Sequence, residues 1–430
     1  MINMKKYIIA TLAAVLAFGA VSCNKADKFQ YGKEVILITG TDASPVAKER
    51  IVADVVPIGY TFSISATGKV EQDVTVGLKI DPSAVEEYNK ANGTAYVAVP
   101  DQYLKLSSDS AVIPKGAATS GAVEVILNNN SFMEDGVIYV IAVSAVSVSG
   151  ANMEILNASK SILIKLGKTQ NNPALDMSNT GMYSTHTIGG YDLTSWTLEV
   201  KAYPTNLKSR GSDQLCRFCC WNEDGGGQVL LRFNENGKPW KTLDIVSVTG
   251  RYVTGTSGEG DEEVGFFEEN KWHMISIVWD GSTMRVYVNG ELDSPWENTI
   301  SGSQGFKLNR FEIGMSYQGY GGAQSYSGRM SEMRIWNRAR SQSEIAETLC
   351  SVDGMSEGLL GYWRMNEGSG TTFKDSARWT EDGEEKSEKD IHNMDWTKSE
   401  RQITGETYSK TPDAASAIKW VKDAANNCLQ

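Results

Sequence analysis

Histidine is nearly absent. Only His186, His273 and His392 occur in 430 residues. That leaves little for a histidine-based hydrolytic triad or a zinc site, and His273, beside Trp272 in a strand-like stretch, reads as structural. Cysteine is sparse too. Beyond Cys23 there are Cys216, Cys219, Cys220, Cys350 and Cys428, an odd number that argues against a full disulfide framework. Cys216-x-x-Cys219-Cys220 has no further ligand nearby, and Leu215 to Trp221 alternates as a strand, so these read as small strand hydrophobes. Positive charge is in deficit: 41 Lys and Arg against 53 Asp and Glu give a formal charge of −12, which disfavours nucleic acid and anionic lipid as partners. No phosphate loop or cofactor fingerprint is visible, and Gly225 to Gly227, after Glu223 and Asp224, reads as a turn.

What is present begins at the first residues. Lys5 and Lys6, an apolar run from Tyr7 to Val21, and small residues up to Cys23 have the form of a bacterial lipoprotein signal. The run is too short for a spanning helix, and no later stretch reaches spanning length. Residues 1–23 are expected to be a signal peptide, with Cys23 lipidated and the polar residues 24–32 acting as a tether. Lipoboxes usually carry Leu where Ala20 stands.

The rest reads as strand. Short runs rich in Val, Ile, Tyr and Trp recur between Gly, Asn, Asp and Ser clusters, the pattern of antiparallel sandwiches. From Asp73 to Ile80, Val74, Val76, Leu78 and Ile80 share one face. A short helix follows, with Asp81 as cap, Pro82 in first position and Asn92-Gly93 as the stop. Lys79 to Thr94, with the Tyr88-Asn89-x-x-Asn92-Gly93-Thr94 core, then Val99-Pro100, Tyr103 and Ile113 to Gly116, resembles the Ig-like N-terminal domain of Bacteroidetes surface lipoproteins and surface endoglycosidases. The resemblance covers about a third of the chain and implies a spacer or accessory module, residues 33–167. Residues 168–173 read as a linker.

In residues 174–430, two alternating strands flank Asp280 to Thr283, a hairpin signal, and Asn289-Gly290 marks a second turn. Ser341 and Glu344 form a capping box for a helix ending near Leu349. Residues 412–426 have helical periodicity, with Ile418, Val421 and Ala425 on one face. Trp196 to Val200, Trp272-His273, Val286 to Gly290, Gly328 to Glu344, and Gly361 to Ala377 together resemble a LamG or concanavalin-A-like jelly roll. The Gly361 to Ala377 element often opens such domains; here it follows the hairpins, so a closing strand or the remnant of another module is expected. The fold class is therefore all-β: an N-terminal Ig-like sandwich and a C-terminal concanavalin-A-like (LamG) jelly roll, with a few short helices.

Candidate chemistry is modest. Glu259-Gly260-Asp261-Glu262-Glu263 has the letters of a laminarinase-type catalytic strand, but the intervening residues are not apolar and the stretch reads as an acidic loop. The resemblance to LamG-like domains implies Ca²⁺ at the sandwich rim, for which Asp244, Asp280 and Asp375 are candidates; plain turn stabilisation competes. Sugar binding needs aromatic faces flanked by amides. Tyr317, Gln318, Tyr320, Gln324 and Tyr326 supply these among glycines, and Trp240 stands in a hairpin-like tip; Trp221 and Trp296 are weaker. Trp196, Trp272, Trp279, Trp336 and Trp363 sit in alternating strands and read as core. The resemblance implies a non-catalytic glycan-binding lipoprotein of the outer membrane, facing the cell exterior and delivering a polysaccharide or glycoprotein glycan to an importer complex. An endo-acting glycosidase and a calcium-dependent protein adhesin are the alternatives.

Overall fold

The structure is a computed structural model. It describes residues 34–178, 184–205, 207, 216–222, 228–233, 241–255, 267–314, 326–381, 384–387, 392–395, 418–422 and 427–429. Residues 1–32, read from the sequence as signal, lipidated Cys23 and tether, lie outside these. Among the described residues no helix is long and apolar enough to cross a membrane.

The chain forms two bodies. One comprises residues 34–130 together with 139–166; the other comprises 131–138 and the described residues from 167 onward. The first is a β-sandwich. Its largest sheet runs 51–52, 161–167, 139–149, 74–80, 110–113 in space, and two three-stranded sheets complete it. Val74, Val76 and Leu78 are buried on alternate positions, as the period of two requires. The helix is Ser83–Asn92 and stops at Gly93, whose φ of 67° is left-handed. Asp81 is not its side-chain cap: the carboxylate accepts from Ser83 Oγ at 2.6 Å and pairs with Lys79, while the Asp81 carbonyl takes the Ala84 N–H. The Tyr-Asn-x-x-Asn-Gly-Thr core has a physical basis. Asn89 accepts from Tyr96 N–H and Thr94 Oγ and donates to Tyr96 O, while the Tyr88 and Tyr96 rings stack at 5.8 Å.

The second body is a sandwich of one eight-stranded and one seven-stranded sheet. The eight-stranded sheet runs 291–292, 284–288, 273–279, 196–204, 328–336, 174–176, 419–421, with Leu359–Trp363 also paired to 328–336. That pairing makes the Gly361 to Ala377 element a closing strand. The core lies between the sheets: Trp196, Leu198, Val200, Ile275, Ile277 and Trp363 from one side meet Trp221, Leu231, Phe233, Ile245 and Phe311 from the other. The expected hairpin is present, with Asn289 (φ 54°) and Gly290 (φ 82°) at its second turn. Ser341 and Glu344 form the capping box, for helix Gln342–Glu347.

Two expectations fail here. Residues 168–173 are not a free linker, because Thr169–Asn171 is a strand paired with Asn427–Leu429. The C-terminal helix is likewise absent at Lys419–Val421, which pairs with Ala174–Asp176 while Trp420 packs on Phe373. Edge pairing and aromatic burial outweigh a weak helical preference.

The outer face of the eight-stranded sheet is covered by the segment carrying helix 342–347, with Ile345 buried against Val278 and Tyr287. Beneath it lies a buried ionic network. Glu199 accepts from Arg340 Nη1 at 2.9 and 2.8 Å, Ser276 Oγ at 2.9 Å and Trp336 Nε1 at 2.8 Å. Arg334 pairs with Glu332 at 2.8 Å, and Glu332 also accepts from Tyr362 OH at 2.6 Å. Burial alone would raise the Glu199 carboxyl, but Arg340 and Arg334 hold it below the usual range. This face is therefore closed over the network.

Candidate functional site

The seven-stranded sheet runs 184–193, 306–313, 216–222, 228–233, 243–246, 251–253, 297–298 in space. Alternation along Gln228–Phe233 sends Val229, Leu231 and Phe233 into the core and leaves Gln228, Leu230 and Arg232 on the outer face. Register extends the outer face sideways. Leu230 stands opposite Cys220 and Val246, Cys220 opposite Glu312, and Val246 opposite Arg251. Arg232 stands opposite Asp244. Leu230, Cys220, Asp244 and Glu312 form a buried floor, while Gln228, Val246, Arg251 and Arg310 keep partial exposure.

The polar centre is an arginine–aspartate–arginine triple. Arg232 Nε donates to Asp244 Oδ2, and Arg251 Nε donates to Asp244 Oδ1 at 3.0 Å. Side-chain exposure is 14% for Arg232, 32% for Arg251 and 1% for Asp244, and Arg251 Nη2 is buried, so the carboxylate is enclosed and the guanidiniums are themselves largely covered. Such charge-assisted bonds fix the planes of both guanidiniums.

At the sheet's far edge Asp293 is 6% exposed; its Oδ1 accepts from Gly255 N–H at 3.2 Å, and its Oδ2 makes no hydrogen bond. Burial pushes its carboxyl up to about 6, against the pull of Gly255, Tyr252 and Ser294. A folded pKa above the unfolded 3.8 adds stability that is complete below that value and is lost as pH rises through about 6. Asp293→Asn keeps an acceptor for Gly255 and removes the charge. It is expected to stabilise the protein by about 2 kcal/mol at pH 8 and not at pH 3.5, read by denaturant melts at both pH values.

The residues singled out from sequence have different fates. Tyr317, Gln318, Tyr320, Gln324 and Trp240 lie outside the described residues, as does the 259–263 acidic stretch. Tyr326 is corrected. It is fully buried, its OH donates to Arg329 O at 3.0 Å, and it packs so close to Gly328 that a Cβ there would sit 2.5 Å from its oxygen. It offers no ring face to a sugar. Trp221, the weaker candidate, is also fully buried. Trp196, Trp279, Trp336 and Trp363 are core, but Trp272 is only half-buried, 5.4 Å from Tyr203 with Lys201 over its ring.

The three aspartates do not fit a calcium site. Asp244 lies within strand Leu243–Val246 with both oxygens engaged by arginine. Asp280 Oδ1 accepts from Ser282 N–H, Ser282 Oγ and Thr283 N–H, and Oδ2 from Arg285, which together hold its carboxyl well below the usual range. Asp375 Oδ1 accepts from Tyr362 and Ala377 N–H, while Oδ2 lies 3.2 Å from His392 Nδ1. Among the described residues no group of three or more His, Cys, Asp or Glu could hold a metal ion. The cysteines divide: Cys350 is disulfide-bonded, whereas Cys219 and Cys220 are buried free thiols.

Arg232, Arg251, Arg310 and Glu312 were missed from sequence. The alternation of 228–233 signals Arg232 as outward, but the Asp244 partner becomes visible only with the strand register.

Residues 177–346 match the family model of the concanavalin A-like lectin/glucanases superfamily, and residues 31–152 match a family of N-terminal domains. No curated protein matches the chain. Among solved structures, a candidate carbohydrate binding protein from Bacteroides ovatus is 22% identical, with 79% of this chain and 93% of that one covered and a TM-score of 0.49. A heptameric SAP-like pentraxin from Limulus polyphemus is 18% identical, over 41% of this chain and 81% of that one, at a TM-score of 0.30. EndoBT-3987 from Bacteroides thetaiotamicron, solved with a Man5GlcNAc product, is 16% identical over 32% of this chain and 31% of its own, at a TM-score of 0.25. This chain thus spans about a third of that last structure's length.

Proposed function

We propose that this chain, an N-terminal sandwich followed by a concanavalin A-like domain, is a non-catalytic glycan-binding lipoprotein. It is held at the outer membrane through Cys23, faces the cell exterior, and serves a polysaccharide or glycoprotein-glycan utilisation system. The observation that carries the glycan reading is the match of residues 177–346 to the lectin/glucanases superfamily, in a sandwich with one sheet face covered and the other lined by hydrogen-bonding side chains. A fold alone does not assign a ligand, so the weight rests on that second face.

Binding without turnover is favoured by the state of the carboxylates. Glycoside hydrolysis needs two of them flanking one bond, one able to give a proton. On the described outer face Asp244 is tied to two arginines, Glu312 is 2% exposed, and Glu297 stands at the edge opposite Val253. Neither of the two central carboxylates is placed as an acid facing a water-activating partner.

The test is a glycan-array screen of residues 24–430 with calcium present, with every bound species checked for cleavage. Saturable binding of intact glycan is the expected result. Released fragments would make the protein an endo-acting glycosidase. Absence of binding to any glycan, with chelator-sensitive capture of a protein ligand, would make it an adhesin.

A further inference from the structure

We infer that the disulfide partner of Cys350 is Cys428, so that one covalent bond staples the end of the chain to the second body. This staple is independent of what the domain binds.

Cys350 is disulfide-bonded and 3% exposed, whereas Cys219 and Cys220 are thiols. In residues 24–430 that leaves Cys216 and Cys428 as partners. A disulfide needs Cα atoms about 4.4–6.8 Å apart, so position decides between them.

Cys350 belongs to the layer that covers the outer face of the eight-stranded sheet. Its neighbours place it there. Arg334 Nη1 donates to Thr348 O at 2.8 Å, and Val352 N–H donates to Tyr362 OH at 3.4 Å. Arg334 and Tyr362 both belong to the ionic network on that face, and Val352 packs with Trp336, Leu359 and Tyr362. Cys216 lies in strand Cys216–Asn222 of the other sheet, opposite Phe233. Packed sheets stand about 10 Å apart, and Cys350 lies beyond the second of them, so Cys216 is out of reach. Cys219 and Cys220 share that strand and that separation. Burial also pushes the Cys219 thiol well above its ordinary value, which leaves little thiolate for exchange.

Cys428 is on the matching side. In the pairing of Thr169–Asn171 with Asn427–Leu429 it stands directly opposite Gln170. Opposed residues of an antiparallel pair have Cα atoms about 4.5–5.5 Å apart. Gln170 is 6% exposed, and its Nε2 donates to Ser351 Oγ at 3.1 Å. One buried side chain thus spans from the cross-strand partner of Cys428 to the residue next to Cys350.

Forming the bond removes two protons and two electrons from the two thiols. A protein disulfide of an oxidising compartment accepts them. The Cys428 thiolate attacks that disulfide and forms a mixed disulfide. The Cys350 thiolate then attacks the Cys428 sulfur, and the oxidant leaves as a dithiol. The product closes a loop from residue 350 to 428. Strands Lys419–Val421 and Asn427–Leu429 pair over three residues each, with Ala174–Asp176 and Thr169–Asn171. A covalent link at this end opposes the fraying expected of a chain terminus held by such short pairings.

The test digests residues 24–430 with trypsin without reduction, after equilibration in oxidised glutathione and alkylation of remaining thiols. Cleavage after Arg340, Arg364 and Lys422 puts Cys350 in peptide 341–364 and Cys428 in 423–430. Cys216 falls in 211–217, and Cys219 with Cys220 in 218–232. Mass spectrometry is expected to find 341–364 joined to 423–430 and split by reductant. Joining of 341–364 to 211–217, to 218–232 or to a second copy of itself would overturn the inference. So would recovery of 341–364 and 423–430 as separate peptides. Cys428→Ser is expected to lower the melting temperature by about 5–10 °C. Adding Cys350→Ser should lower it no further, because the same bond is lost. Additive losses would mean two unconnected packing defects and would also overturn it. None of these outcomes bears on glycan binding, which the array tests separately.

Discussion

Replacing Glu199 by alanine is expected to destabilise the second body by about 3–5 kcal/mol, because it strands buried arginine charge. Glu199 is fully buried and takes both of its oxygens to Arg340, with Arg334 at 3.6 Å. Ser276 and Trp336 lose their acceptor in the same step. The double variant Glu199→Met with Arg340→Met should recover much of the loss, since it removes both desolvated ions and leaves Arg334 paired with Glu332. Denaturant unfolding of the two variants beside the parent measures both effects. The pH dependence has a definite sign. A carboxyl held below its ordinary value contributes stability that is present above the unfolded value of 4.5 and is lost as pH falls through the folded one. The gap between parent and Glu199→Ala should therefore narrow in acid. A loss below 1 kcal/mol at neutral pH would mean that water or neighbouring side chains already neutralise the arginines.

Trp363→Ala is expected to cost a similar amount, about 3–5 kcal/mol, through a cavity between the sheets. The indole is fully buried, lies 4.7 Å from the Phe311 ring, and donates its Nε1–H to His392 O at 2.7 Å. It also packs against Gly361, where a Cβ would come within 2.5 Å of the ring. Trp363→Phe should cost less, because a ring remains against Phe311 and only the edge and the hydrogen bond go. Trp420→Ala, at a half-buried position on the edge strand, should cost less again. If all three fall together in a thermal melt, the core does not have the centre assigned to it here.

These two sites show what a single sequence can and cannot reveal. Trp363 was legible as core because alternation around Gly361-Tyr362-Trp363 marks an inward aromatic, and the same reasoning holds for Trp196, Trp279 and Trp336. The capping box at Ser341 and the Asn289-Gly290 turn were legible because their chemistry is local, within three residues. Glu199 was not. In an alternating strand, a glutamate beside Leu198 and Val200 reads as solvent-facing, and only the covering segment with helix 342–347 makes that outer face an interior. Charge in a strand marks the face away from the first core; it does not say whether a second layer covers that face.

The candidate site was hidden for a related reason. Asp244 lies 12 residues from Arg232 and seven from Arg251, and the three meet only through strand register. Read singly, Asp244 resembles a turn residue or a metal ligand. Read with its partners, it is the anchor of two guanidiniums. Asp375 misled in the same way, because its His392 neighbour is brought in by pairing of Thr372–Phe373 with Met394–Asp395. The helix expected near the C-terminus failed because periodicity over a polar tail competes poorly with an open sheet edge at Ala174–Asp176.

The most direct measurement is hydrogen–deuterium exchange on residues 24–430 with and without a saturating glycan from the array. Binding on the outer face of the seven-stranded sheet predicts added protection in strands Gln228–Phe233, Leu243–Val246 and Arg251–Val253, with the first body unchanged. Protection confined to the first body, or to the covered eight-stranded sheet, would contradict it.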